Sequence, residues 1–333
     1  MKKIALEEHV RLLTEPSFND LKNQIEESLA IYSGRSDTER FVRVSELMSL
    51  SPVLHRIPEM DKAGIEIQIL SSGDGFIHND PDSVRAATTA MIINDRLYGL
   101  SQEYPGRFKC FGILALQDPV AAADEVQRIH DEYGFLGVMV YGTTLGHFYD
   151  EAQFEPVWNA LEKKDMVFFL HPGFRSAVDT VIYDGYPELL ASTWDWGVYG
   201  GTHALRLVFG GVFERHPGVK LILGHMGEHL PYVLARLDEG AGHRGIPEPG
   251  GRISRPPSYY IKNNIYIATS GRFAPGAMAC AMMEMGAEHI LFACDYPNLD
   301  VQTSIEQIEE CDFLSDSDKS MIYRGSAEKL FGI

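Results

Sequence analysis

Short, almost continuous apolar runs recur along the whole chain, and stretches with a helical spacing of apolar positions separate them. Runs of this kind are expected for parallel strands that are covered on both faces. Eight of them are interpreted as strands: Lys3–Glu8, Ile65–Ser72, Phe108–Leu116, Leu136–Tyr141, Met166–His171, Val219–Gly224, Ile265–Ser270 and His289–Cys294. Eight strands that alternate with helices predict an α/β protein with a (β/α)8 TIM barrel fold. The alternative is a doubly wound open sheet, in which the first and last strands would not meet.

The clearest helix is the segment 118–134, DPVAAADEVQRIHDEYG. Asp118 can cap its N-terminus, Pro119 suits the first turn, and Gly134 follows in the usual place at the C-terminus. Residues Met278–Gly286 and Ser326–Phe331 are interpreted as helices in the same way. The apolar stripe of the first helix is predicted from the helical period as Val120, Ala123, Val126 and Ile129.

Two insertions interrupt this alternation. One lies between Val10 and Gly64 and contains no predicted strand, and the other follows Pro172 and is rich in aromatic residues. Both come after strands that end in polar side chains. They are therefore expected to overhang the C-terminal mouth of the barrel, as lids or as contacts between subunits. Residues 1–333 are interpreted as a single domain.

The composition excludes several classes of function. The chain has 333 residues and a formal net charge of −18, which argues against binding to nucleic acid or to anionic membranes. The N-terminus lacks the apolar run of a signal peptide, and no apolar run approaches the roughly 18 residues that span a bilayer. The cysteines show no metal-binding spacing and no disulfide framework, so a reduced, cytoplasmic setting is expected. They are Cys110, Cys280, Cys294 and Cys311.

Carboxylates and imidazoles stand where several predicted strands end. Glu7 and His9 lie two residues apart where the first strand ends and should point to the same face, His171 ends the fifth strand, and Asp295 follows the eighth. Because parallel strands of a barrel all end at one mouth, these four side chains should converge. Two nitrogen and two oxygen ligands suit Zn²⁺ or Mn²⁺ and leave coordination positions open for substrate or water. The pattern therefore predicts a catalytic metal site.

A second motif, GHMGE, follows the sixth strand. Its His225 stands three residues before Glu228, whose carboxylate could fix the tautomer of the imidazole and raise its basicity. The alternative is a buried histidine with a purely structural role. Arg236, in the helix that follows, could bind a substrate carboxylate or form a salt bridge on the helix surface.

With these residues in place, the chain resembles the amidohydrolase superfamily. The closest likeness is to its metal-dependent decarboxylase branch, which includes the γ-resorcylate, 2,3-dihydroxybenzoate, 5-carboxyvanillate and aminocarboxymuconate-semialdehyde decarboxylases. The matching segments span nearly the whole chain and read ALEEH, FLHP, LILGHMGEHLPY, IATSG and ILFACDYP. The resemblance implies that His225 and Glu228 form a proton relay beside the metal. The metal ligands that it implies are Glu7, His9, His171 and Asp295.

The resemblance also implies the reaction, a non-oxidative decarboxylation of a hydroxylated aromatic acid. One divalent ion, Zn²⁺ or Mn²⁺, would bind the carboxylate and an ortho hydroxyl, and no organic cofactor is expected. Asp295, or the relay through His225, would protonate the ring carbon before CO₂ leaves. Phe18, His225 and Arg236 are expected to contact this small aromatic carboxylate, and the implied assembly is a homodimer or homotetramer.

The same residues allow a hydrolase as the alternative. In that case the metal would activate water, Asp295 would accept its proton, and an amide or a lactone would open. The fourth-strand run LGVMVYG contains no Lys that could bridge two metals, so a mononuclear site is expected in either case. Near the mouth the chain departs from the decarboxylase pattern at three places: Gly173-Phe174-Arg175, Tyr141-Gly142-Thr143 and Asn298.

Overall fold

A computed structural model describes residues 1–13, 47–48, 52–173, 182–248 and 250–333. Within these residues, parallel strands that neighbour one another in chain order form one eight-stranded sheet. Leu6 bridges Ala293 after the last strand, and the Leu6 N–H donates to the carbonyl of Phe292 at 3.1 Å, which joins the two edges of the sheet. The predicted (β/α)8 barrel is confirmed. The strands are β1 (Lys3–Val10), β2 (Ile65–Ser72), β3 (Phe108–Gly112), β4 (Gly137–Tyr141), β5 (Val167–His171), β6 (Leu221–Leu223), β7 (Ile265–Ala268) and β8 (Ile290–Leu291).

Helices connect successive strands, as a right-handed parallel barrel requires. In the described residues they are α1 (Pro52–Ala63), α2 (Ser83–Glu103), α3 (Pro119–Tyr133), α4 (Glu155–Lys164), α5 (Asp195–Phe209), α6 (Val212–Arg215), α7 (Leu230–Gly242), α8 (Pro257–Asn264), α9 (Pro275–Met285), α10 (Val301–Glu309), α11 (Asp316–Ser320) and α12 (Ser326–Phe331). None of these helices has the combination of length and apolar character that a bilayer crossing requires.

Helix α3 shows why the local sequence predictions hold and where one fails. The Asp118 carboxylate accepts the N–H groups of Val120 and Ala121, and Gly134 adopts a left-handed conformation with φ 64°, as predicted. Val120, however, is 63% exposed, so its assignment to the buried stripe is wrong. It lies in the first turn on the outer face, and Ala122 takes its place among the buried residues.

Six strands, β3 to β8, are shorter than predicted. The difference is largest for β3 and β8, although the residues that follow these two strands are buried. After β3, the side chain of Asn94 accepts the N–H of Ile113 at 2.8 Å and donates to its carbonyl at 2.9 Å, in place of a sheet partner. After β8, the Thr269 hydroxyl forms hydrogen bonds with both the N–H and the carbonyl of Ala293. Buried apolar runs therefore continue past the strands because side chains satisfy their backbone groups.

The insertions after β1 and β5 are described only in part, so their predicted place over the mouth stays a prediction. Phe18 lies outside the described residues, as do Phe174 and Arg175 of the aromatic insertion. In the described part of that insertion, Tyr186 is 61% and Trp194 50% exposed, which leaves aromatic surface available for a subunit contact. The homodimer or homotetramer stays a prediction.

Candidate metal centre and active site

Four side chains from three strands converge at the C-terminal mouth. Glu7 and His9 of β1, His171 of β5 and Asp295 after β8 each offer a ligand atom, and these atoms all lie within 4.8 Å of one another. The first three are buried, and the side chain of Asp295 is 13% exposed. The structure thus brings together the four residues that the sequence predicts as metal ligands. We call them the ligand cluster.

The protonation of His171 follows from its surroundings. Its Nδ1 lies 2.7 Å from the carbonyl oxygen of Pro172, which can only accept, so Nδ1 carries the proton. Burial, reinforced by the neighbouring imidazoles of His9 and His225, lowers the pKa of His171 well below its ordinary value, and the ring is neutral. Nε2 therefore holds a lone pair, and it lies 3.4 Å from Oε1 of Glu7.

Glu7 reaches the cluster through an irregularity in β1. The β1–β2 register shifts between Ala5 and Glu8, and Glu7 takes a left-handed conformation with φ 65°. This strained conformation aims the carboxylate at the cluster, as bulges do beside active sites. The site encloses it so closely that a Cβ at Gly224 would lie 3.0 and 3.1 Å from its two oxygens. Burial raises the pKa of Glu7 to about 8, and the charge of His225 offsets this only in part.

The donor atoms of the ligand cluster are of the kind that binds a cation. Both oxygens of Glu7 and the Nε2 atoms of His9 and His171 are buried, and none forms a hydrogen bond with the described residues. His9 Nε2 faces Oδ1 of Asp295 at 3.3 Å, just as His171 Nε2 faces Glu7. The bare Nε2 lone pair of His171 and the facing carboxylate oxygen of Glu7 repel each other unless a positive charge, a proton or a metal ion, lies between them. Two imidazole nitrogens and two carboxylates suit Zn²⁺ or Mn²⁺.

His225 and Glu228 form a pair beside the cluster. The ring Nδ1 lies 2.8 Å from Oε1 of Glu228, while Nε2 lies 3.7 Å from Oε1 of Glu7 and 4.0 Å from Oδ2 of Asp295. Burial alone would lower the pKa of His225, but the carboxylates of Glu228 and Glu7 outweigh it and raise the pKa to about 10. The imidazole therefore carries a proton on the nitrogen that faces Asp295.

The loop that carries this pair depends on a close approach to α5. His225 and Glu228 have left-handed conformations, with φ 49° and φ 48°. A Cβ at Gly201 in α5 would lie 2.5 Å from the carbonyl oxygen of Glu228. In the sequence, this contact is indicated only by the glycine-rich segment 196–201, WGVYGG. The sequence alone does not show why glycine is needed there.

Arg236 lies on the surface of α7. Its side chain is 78% exposed and forms an ion pair with Glu239 at 2.7 Å. This is the surface salt bridge that the sequence allowed as the alternative to substrate binding. A contact of Arg236 with substrate stays a prediction.

Sequence reasoning missed a buried network that supports β1. Glu8 points away from the cluster, and its carboxylate accepts Gln68 Nε2 at 2.9 Å and the Cys294 N–H at 3.1 Å. Arg56, also buried, donates to the carbonyl oxygen of His9. These bonds connect β1 with α1, with β2 and with the segment after β8, and so hold the backbone that carries two residues of the ligand cluster and leads to a third.

The sequence and the fold of the chain are similar to those of amidohydrolases and decarboxylases. The family model for amidohydrolases matches residues 50–333. A γ-resorcylate decarboxylase of Polaromonas sp. is 35% identical, over 99% of this chain and 98% of that protein. A crystal structure of a 2,6-dihydroxybenzoate decarboxylase in complex with 2,6-dihydroxybenzoate superposes with a TM-score of 0.88 at 33% identity, and each chain is covered to 100%.

A further crystal structure shows a metal in a relative. It is a dihydroxybenzoic acid decarboxylase of Polaromonas sp. with bound manganese and the inhibitor 2-nitroresorcinol. It superposes with a TM-score of 0.87 at 34% identity and covers 99% of this chain and 97% of its own. From the match over most of its length and from these full-length relatives, we conclude that the chain belongs to the amidohydrolase family.

Proposed function

We propose that this protein is a metal-dependent decarboxylase of hydroxylated aromatic acids, a carboxy-lyase. The observation that carries the proposal is the ligand cluster with the protonated His225 beside Asp295. A site for one cation and a source for one proton are what such a reaction needs. Relatives that match over the full chain are decarboxylases of this kind.

The substrate that we propose is 2,6-dihydroxybenzoate, also called γ-resorcylate. This compound is bound in one of the similar structures, and the similar Polaromonas protein is named for it. Its carboxylate has a hydroxyl on each side, so the molecule can present two oxygens to a cation from either edge of the ring. We propose Mn²⁺ as the ion, since manganese is bound in a relative.

The residues of the ligand cluster would bind the metal ion, and the ion in turn would orient the substrate. Glu7, His9, His171 and Asp295 would hold the divalent ion, which as a Lewis acid would fix the substrate oxygens and stabilise negative charge. The narrow, buried cluster keeps the carboxylate ligands out of bulk water and thereby strengthens their interaction with charge. Once the carboxylate and hydroxyl oxygens of the substrate are fixed in this way, the ring carbon that bears the carboxylate would lie next to the proton donor.

Proton delivery follows from the two oxygens of Asp295. Its Oδ1 faces His9, and its Oδ2 faces His225 Nε2 at 4.0 Å. Burial would raise the pKa of Asp295, but its contact with His9 and the positive charge of His225 outweigh this and lower it. The resting proton therefore lies on His225. It would pass through Asp295 to the ring carbon, and loss of CO₂ would then restore the aromatic ring.

The proposal is tested by incubating Mn²⁺-loaded protein with 2,6-dihydroxybenzoate, 2,3-dihydroxybenzoate and a simple lactone. We expect equal amounts of CO₂ and 1,3-dihydroxybenzene from the first compound. Acid release from the lactone without CO₂ from either benzoate would show a hydrolase instead.

We expect Glu228→Gln to lower kcat by roughly 10- to 100-fold while Mn²⁺ remains bound. The amide can still accept a hydrogen bond from His225, but without the negative charge the pKa of His225 falls. The alkaline limb of the kcat–pH profile should then move to lower pH. Glu239→Gln removes a surface carboxylate and serves as the control. An unchanged kcat and pH profile in Glu228→Gln would contradict the role of this pair.

A further inference from the structure

Tyr141, at the end of β4, contacts two members of the ligand cluster. Its hydroxyl lies 3.2 Å from Nδ1 of His9, and the centre of its ring lies 4.6 Å from that of His171. The residue is 9% exposed. We propose that Tyr141 is a positioning residue that fixes the tautomer of His9, and thereby its Nε2 lone pair, for metal binding. The inference rests on the proposed metal centre but not on the reaction carried out there.

The direction of the hydrogen bonds carries this inference. The Tyr141 hydroxyl lies 2.6 Å from the carbonyl oxygen of Ser72, which can only accept, so the single phenolic proton is donated there. Towards His9 the phenol oxygen is then left as an acceptor. Nδ1 of His9 must therefore carry a proton to make this contact favourable, and in the neutral ring Nε2 is left free for the ion.

Ser71 does not impose the same choice. Its hydroxyl lies 3.1 Å from the same Nδ1 atom, but a hydroxyl can rotate to donate or to accept. A protonated Nδ1 and a bare Nδ1 would both suit it. Of these two contacts with Nδ1, only that of Tyr141 has a fixed direction, because the backbone carbonyl of Ser72 takes the phenolic proton.

Two glycines make room for Tyr141, because a side chain at either position would clash with it. Gly75, after β2, packs flat on the ring, and a Cβ at that position would lie 2.4 Å from Cγ of Tyr141. Backbone at Gly173, after β5, packs equally closely on Tyr141, since a Cβ there would lie 2.5 Å from its carbonyl carbon. The loop after β2 thus packs against the ring of Tyr141 and the loop after β5 against its backbone, and such support is what a positioning residue requires.

The test is the affinity of the metal-depleted protein for Mn²⁺, measured from the electron paramagnetic resonance signal of the free ion. We expect Tyr141→Phe, which keeps the ring, to raise the Kd for Mn²⁺ by roughly 10- to 100-fold. At saturating Mn²⁺ its kcat should recover most of the wild-type value, because the ligands themselves remain. Ser71→Ala should raise the Kd less than Tyr141→Phe.

The matched control is Tyr149→Phe. Tyr149 is also buried, and its hydroxyl lies 3.1 Å from the hydroxyl of Thr144 rather than near a ligand. An unchanged Kd in Tyr141→Phe, or an equal rise in Tyr149→Phe, would overturn the inference. A wild-type protein that binds no Mn²⁺ would overturn the metal centre itself, and a wild type that binds Mn²⁺ without releasing CO₂ would overturn only the proposed reaction.

Discussion

Asp295→Asn is expected to lower kcat for decarboxylation by about 10³-fold while part of the metal remains bound. The amide has nearly the shape of the carboxylate and keeps one oxygen towards His9, so the site should still form. It cannot take a proton from His225 and pass it on, because an amide nitrogen is neither an acid nor a base at neutral pH. The measurements are kcat from CO₂ release and the metal content of the purified variant.

Asp150→Asn is the control for this substitution. Asp150 pairs with Arg206 at 2.7 Å, outside the ligand cluster, and its replacement should leave kcat nearly unchanged. Full activity in Asp295→Asn would contradict its role in proton transfer. Complete loss of metal from this variant would show that Asp295 is needed to hold the ion, and proton transfer would then have to be tested in His225 variants.

The second large effect is expected for His171→Ala. This change removes a neutral imidazole whose lone pair faces Glu7. The Kd for Mn²⁺ should rise by more than the roughly 10- to 100-fold that loss of a supporting residue costs. Activity should disappear at Mn²⁺ concentrations that saturate the wild type.

His203→Ala controls for the loss of a buried imidazole as such. His203 is fully buried and accepts the N–H of Tyr149, and it is not part of the ligand cluster. This variant should keep its Mn²⁺ affinity even if its stability falls. Equal loss of Mn²⁺ from both variants would mean that general destabilisation, and not ligand removal, accounts for the result.

Much of this architecture can be predicted from the sequence, because parallel barrel strands are buried on both faces. Their apolar runs are nearly continuous and end in polar residues at one mouth. This is why Glu7, His171 and Asp295 stand out although they are far apart in the chain. The (β/α)8 fold and the convergence of the four candidate ligands follow from that single pattern.

Other features could not be predicted because they depend on contacts between distant segments. The left-handed conformation of Glu7 arises from a shift in register, whereas the simple alternation of a strand predicts regular geometry. The direction of the Tyr141 hydroxyl depends on a backbone carbonyl of another strand. Val120 satisfies the helical period but lies on the outer face of its helix, because periodicity alone does not fix the edges of a buried stripe.

The central claim is that the cluster of Glu7, His9, His171 and Asp295 holds the ion on which decarboxylation depends. Its most direct test is a titration of metal-depleted protein with Mn²⁺ while the rate of CO₂ release from 2,6-dihydroxybenzoate is recorded. We predict almost no activity without metal and a rise that ends at about one ion per chain. Full activity of the metal-depleted protein would contradict the claim.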